Sequence, residues 1–381
     1  MQQPAANKPI YFPGLNGLRA IAAVAVVISH ITLALKEFNL NPFIFGAYDD
    51  GMPRGISLAG YGVSIFFVLS GFLITYLLQR EKEVQAIDIK KFYLRRILRI
   101  WPLYYLYLAV VLTVLVITGT TIGKDVLMMY VFYSANIPLI LNIGLPLLGH
   151  YWSLGVEEQF YLFWPWFNKK IDKWIVPAII GCIALLVGLK LLFHIVSPGS
   201  VIESAIHITR FHCMMLGGLG AILYKQKHQL FLRITDNKIT QCICWFVILL
   251  LAINRFHIAS VIDNEIVAVV GLCLIIGQVN IKNRVLNLEL GIFDYLGKIS
   301  YGIYVIHPLV IFILSKIAGH LNIEPVYKYL LVYSIVLTTT IGVAYLSYTY
   351  FEKYFMNLKK KFVVIPSLAA RNSRLAGVTT G

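Results

Sequence analysis

Two ionisable side chains stand inside the first long apolar run, Arg19 and His30 in GLRAIAAVAVVISH. Eleven residues at about 100° each bring a helix back to within about 20°, with a rise of about 16 Å. Both side chains therefore share one helical stripe. Charged groups in hydrocarbon are costly and mark ion paths, proton relays or reaction sites. An imidazole titrates near neutral pH and suits general-base work on a hydroxyl. A guanidinium on the same stripe can orient an anionic substrate or stabilise developing negative charge. The plainer alternative is that Arg19 snorkels to a lipid phosphate and His30 is a packed histidine.

The run FYLRRILRIWPLYYLYL places Arg95, Arg96 and Arg99 just before the third apolar segment. On a helix that begins early they are i,i+3 and i,i+4 neighbours. Such a cluster can grip phosphates bidentately, or it can be the ordinary basic belt of a cytoplasmic loop. HYWSLGVEEQFYLFWPWF carries Glu157 and Glu158. Adjacent helix positions point about 100° apart, so at most one can face the bundle interior with His30 and the other needs its own partner. His207 and Arg210 share a face at i,i+3, and Glu352 closes the last apolar run. His307, in SYGIYVIHPLV, precedes a proline that kinks its helix and reads as a kink partner. Lys190 and His194 pair at i,i+4 without an evident function.

No P-loop, GxGxxG or GxSxG is present. Cys182, Cys213, Cys242, Cys244 and Cys273 lie in or beside apolar segments, with no CxxC and no zinc spacing. They read as small buried hydrophobes, and no metal site is expected.

The elements that must position these groups are membrane helices. Of 381 residues, 59% are hydrophobic and only 13% charged, with a mean hydropathy of +0.75. Soluble domains carry about 25% charged residues, so lipid is the solvent for most of this surface. The net charge of +15 falls between apolar runs, as cytoplasmic loops do, and not on a nucleic-acid-binding face. Spans of about 20 residues are expected at 15–35, 61–79, 102–118, 150–168, 175–195, 206–224, 241–254, 261–279, 299–318 and 328–350. The first is too long for a signal-peptide core and has no small-residue cleavage site, so it reads as a retained span. The fold class is an all-α integral membrane bundle of about ten transmembrane helices. Lys and Arg concentrate in alternate loops, which puts both termini in the cytoplasm. Segment 125–147, interrupted by Pro138, Gly144 and Pro146, reads as re-entrant or surface. One membrane domain covers 1–361, and 362–381 reads as a disordered cytoplasmic tail.

Taken together, the blocks LNGLRAIAAVAVVISH, GVSIFFVLSGFLITYLL, FYLRRILRIWPLYY, HYWSLGVEEQFYLFWP, ISYGIYVIHPL and YFEKYF resemble the acyltransferase-3 family of membrane O-acyltransferases. They run in the family's order over nearly the whole chain. The family's arginine, ten residues, histidine pattern falls on Arg19 and His30, its RxxR on Arg96 and Arg99, its EEQFY on Glu157 and Glu158, and its late glutamate on Glu352. The family's usual aspartate before GLR is Asn16 here, which removes one partner for Arg19. The chain resembles stand-alone members that lack a fused SGNH hydrolase-like domain.

The resemblance implies a multi-pass protein of the cytoplasmic membrane with acyl-CoA, usually acetyl-CoA, as co-substrate. The acceptor is then a carbohydrate, a lipid-linked glycan or a small hydroxylated molecule, with no nucleic acid as partner. Arg96 and Arg99 would hold the CoA phosphates, His30 would act as general base, and Arg19 would orient the donor. Glu158, or Glu157, would fix the His30 tautomer or bind acceptor hydroxyls. Glu157, His307, Glu352 and Arg210 remain substrate-binding or structural candidates. Gly62 and Gly71 would leave room for a pantetheine arm rising towards His30. A secondary transporter or flippase is the rival class, although no inverted repeat is visible.

Overall fold

The computed structural model describes residues 10–44, 46–48 and 51–365. The expected tail lies outside the described residues from position 366 onward. Helices follow in the order α1 (Leu15–Ala34), α2 (Ser57–Val84), α3 (Ile89–Ile117), α4 (Lys124–Val131), α5 (Asn136–Ile140), α6 (Tyr151–Lys170), α7 (Ile175–Val196) and α8 (Val201–Thr209). The second half holds α9 (Phe211–Lys225), α10 (Gln229–Thr235), α11 (Lys238–Ala252), α12 (Asp263–Val279), α13 (Gly291–Lys298), α14 (Ser300–Ala318), α15 (Pro325–Ser347) and α16 (Lys353–Lys359). A π-helical turn, Tyr348–Glu352, joins the last two. No strand forms among the described residues.

Among the described residues, seven helical stretches are long and apolar enough to span, and eight if the pair α10–α11, bent by 50°, counts as one span. The other two expected spans form helices in the expected places but fall short on that measure. Helix α12 has 17 residues, and α6 carries Glu157, Glu158, Gln159 and Asn168 among its aromatics. Large apolar side chains of α3 and α7, such as Leu106, Val116, Leu185 and Ile195, point outward, as lipid-facing surface requires.

Helix α3 starts earlier than the apolar run because Asp88 caps it, its Oδ1 accepting from Lys91 N at 2.9 Å. Arg95, Arg96 and Arg99 thereby become helical, one turn to three turns in. The span expected at 206–224 is broken, since α8 stops and α9 starts at Arg210, which adopts the left-handed conformation at φ 40°. The Arg210 guanidinium holds the break together. It donates to Asn264 Oδ1 at 2.9 Å, to Gly60 O and Ser64 Oγ at 3.2 Å, and to His207 O at 2.8 Å.

Helix α2 forms the bundle's axis against α1, α9 and α12. Its closest approach uses Gly71 and Gly217, where an added Cβ would run into Met214 O and Val68 O respectively. Gly62 faces Ala22 O of α1 in the same way. These glycines bring backbones together and do not leave a channel, which corrects the expected room for a pantetheine arm at Gly62 and Gly71.

Segment 125–147 folds as α4, α5 and turns, and none of it spans. Its irregular carbonyls are satisfied from α3, where Tyr104, Tyr105 and Tyr107 donate to Tyr130 O (2.6 Å), Val131 O (2.9 Å) and Leu147 O (3.1 Å). Buried irregular backbone in a membrane protein needs such partners. Cys242 is exposed, unlike the buried Cys213, Cys244 and Cys273, because it sits on the outer face of α11.

Candidate active site

A cavity of about 300 Å³ opens between α1, α2, α3, α6, α13, α14 and α16. Its charged lining is one-sided: Arg19, Arg96, Arg99, Lys298 and Lys359 against the single carboxylate of Glu157. These five cations come from four helices far apart in sequence, α1, α3, α13 and α16, and Arg19, Arg96, Arg99 and Lys359 lie near enough to repel one another. Arg19 is anchored by donating from Nε to Ser300 Oγ at 3.2 Å. Arg96 lies over the Phe92 and Tyr161 rings, 5.7 and 5.2 Å from their centroids. Arg95, the third arginine of the run, turns away and pairs with the buried Glu81 at 3.3 Å. That leaves Arg96 and Arg99 for the cavity.

The two adjacent glutamates separate as helical phase requires. Glu157 faces the cavity and accepts from Ser70 Oγ at 2.7 Å. Glu158 points to α3, where Oε2 accepts from Trp101 Nε1 at 3.3 Å and Oε1 has no partner. Glu158 therefore does not contact His30, contrary to the expected pairing. Asn16, in place of the family's aspartate, donates to Asp294 at 2.8 Å.

His30 bonds instead to His307, its Nδ1 lying 2.8 Å from His307 Nε2 with the rings nearly parallel. His307 is thus more than a kink partner. His150, which the sequence reading passed over, joins them: its ring meets that of His307 edge-on at 5.3 Å, and its Nε2 donates to Val305 O at 3.1 Å. Ser153 and Tyr304 line the cavity next to this histidine cluster, with Tyr304 Oη donating to His150 O at 2.9 Å. Arg19 and His30 share their helix as expected, but only Arg19 lines the cavity.

The other candidates do not line the cavity, although Glu352 is near enough to Arg99 to attract it. Glu352 sits in the π-helical turn and accepts from Ser347 Oγ at 3.1 Å. Arg210 is saturated by the hydrogen bonds at the α8–α9 break. Lys190 and His194 take separate carboxylates, Glu265 and Glu203, each at 2.6 Å. At the cavity's edge, burial and a hydrogen bond to Glu289 push the Tyr11 hydroxyl up to about 12, so it stays a donor.

Residues 12–349 match the acyltransferase-3 family, described as an acyltransferase domain. The peptidoglycan O-acetyltransferase OatA of Listeria monocytogenes is 34% identical over 196 residues, 48% of this chain and 28% of that protein. The O-acetyltransferase OatA of Staphylococcus aureus is 28% identical over 235 residues, 57% of this chain and 35% of the relative. The chain thus spans about a third or less of the length of these curated relatives. No solved structure matches it. With the family pattern running over nearly the whole of an all-helical, membrane-long bundle, the chain belongs to the acyltransferase-3 family.

Proposed function

We propose that the protein is a membrane O-acyltransferase that moves an acetyl group from acetyl-coenzyme A to a hydroxyl of a cell-envelope polysaccharide. One observation carries the donor half of this reading. Among the described residues, Arg96, Arg99 and Lys359 have no carboxylate within ion-pair distance, although they line one cavity; Lys298 is already engaged by Asp294 at 2.7 Å. Half-buried cations gathered round one cavity call for an anion, and phosphates of a coenzyme A nucleotide suit an arginine pair. The nucleotide is too charged to enter hydrocarbon, so it stays at Arg96, Arg99 and Lys359 while the thioester arm enters the bundle. The acceptor half rests on kinship: the relatives' names specify O-acetylation, in one case of peptidoglycan.

In the step proposed, an acceptor hydroxyl attacks the thioester carbonyl and His30 takes its proton. The new C–O bond forms, the C–S bond breaks, and the proton passes from His30 to the departing thiolate, which leaves as coenzyme A thiol. General-base help of this kind is typically worth about 10²–10⁴ in rate. Arg19, about three helical turns from His30 along α1, orients the donor arm within the cavity. The concentration of Lys and Arg in alternate loops supports a cytoplasmic position for the arginine end of the cavity, where acyl-coenzyme A is made. A transporter reading has no support from the family.

The test is mass spectrometry of surface glycans and small metabolites from cells with the wild-type protein, with His30→Ala, and without it. Acetyl esters present only with the wild type are expected. Identical acetylation in all three would overturn the reading.

A further inference from the structure

The two histidines of the cluster stand 277 residues apart in sequence, yet their hydrogen bonds determine which nitrogen of His30 is free. We propose that His307 is a positioning residue that sets the His30 tautomer, an inference that rests on His30 being the base. The chain of bonds starts at a backbone carbonyl. His307 Nδ1 lies 3.2 Å from Ile303 O, and a carbonyl oxygen only accepts, so Nδ1 carries the proton. His307 is fully buried and meets no carboxylate; a charged imidazolium there would be costly, and the ring is neutral. Its Nε2 therefore presents a lone pair. His30 Nδ1, 2.8 Å away, must donate to it. The remaining nitrogen, His30 Nε2, then holds the lone pair and has no partner among the described residues. His30 is half-buried, unlike the other two rings, so this nitrogen keeps open surface.

The surrounding architecture locks the arrangement. Pro308, next in the chain, removes one backbone donor from this turn of α14. Among the described residues, His150 makes no hydrogen bond to His30: its Nε2 donates to Val305 O, and its Nδ1 is buried without a hydrogen-bond partner. A base whose second nitrogen is held by a fixed acceptor has both its tautomer and its ring orientation set before substrate arrives. The hydroxyl proton is then received at Nε2 without a prior tautomer change.

Three measurements test this on the intact protein in detergent or nanodiscs. The first is ¹⁵N NMR of histidine-labelled wild type, with the His30 signals identified by their loss in His30→Gln. Protonated Nδ1 and unprotonated Nε2 on His30 are expected; the reverse tautomer would overturn the proposal. The second is kinetic. His307→Phe offers no acceptor and is expected to lower kcat by about 10–100-fold with little change in the KM for acetyl-coenzyme A. The third is rescue. His307→Gln places an amide oxygen near the lost Nε2 and is expected to recover a substantial part of kcat. Acetyl-coenzyme A binding by each variant reports that it is folded. Inactive His30→Ala beside fully active His307→Phe would sink the tautomer role and leave the base intact. Fully active His30→Ala would remove the base reading itself, while the NMR result would still decide the tautomer.

Discussion

Ser70 donates its hydroxyl to Glu157 at 2.7 Å, tying the one carboxylate of the cavity to α2 while Arg19, Arg96 and Arg99 surround the same space. Glu157 partly neutralises Arg19 and Arg96. Replacing it by Gln removes negative charge and leaves the shape nearly unchanged. Glu157→Gln is therefore expected to bind acetyl-coenzyme A at least as tightly as wild type, measured by isothermal titration. Weaker binding would mean that Glu157 contacts the donor through a bonded cation and does not oppose its charge.

The close approach of α2 and α9 makes a stability prediction. Gly71→Ala or Gly217→Ala drives a methyl into a facing carbonyl and should cost about 1–3 kcal/mol, the usual range for overpacking. Gly181→Ala, on a helix with nothing within 4 Å of the new methyl, should be neutral or slightly stabilising. Thermal unfolding in detergent reads all three. Equal midpoints would show that the α2–α9 contact yields easily. Gly71→Trp, far larger than the space beside Met214 O, should fail to assemble.

Much of the site was legible because charges stand out in apolar runs. Arg19, Arg96 and Arg99 announce themselves in this way, and all three line one cavity. Which of Glu157 and Glu158 turns inward was not legible, since it depends on the rotation of α6 against its neighbours. Lys359 was not legible as a site residue: it belongs to the run Lys359, Lys360, Lys361 beyond the last span and reaches the cavity only because α16 packs beside α3. The His30–His307 bond joins the first and the penultimate long helices of the bundle, and no local pattern encodes it. Glycine was misread for a similar reason: a helical glycine marks a close approach without saying whether backbone or ligand fills the space.

Topology has its own test. In a background without the exposed Cys242, membrane-impermeant thiol reagents applied to sealed cells should label Thr120→Cys and miss Lys169→Cys and Lys170→Cys. The basis is the alternation of Lys and Arg between loops, together with the non-spanning fold of 125–147. Labelling at Lys169→Cys from outside would invert this half of the bundle and place the arginine end of the cavity away from the cytoplasm.

The most direct measurement is the equilibrium binding of acetyl-coenzyme A to the purified protein. Wild type should bind with an affinity that weakens as salt is raised. Arg96→Ala and Arg99→Ala should each lose at least about tenfold, since a charge-assisted hydrogen bond is worth about 1.5–3 kcal/mol and 1.4 kcal/mol is a factor of ten. Lys359→Ala should lose less, as a point charge without the bidentate fork. If all three variants bind acetyl-coenzyme A like the wild type, the cationic cavity is not the donor site.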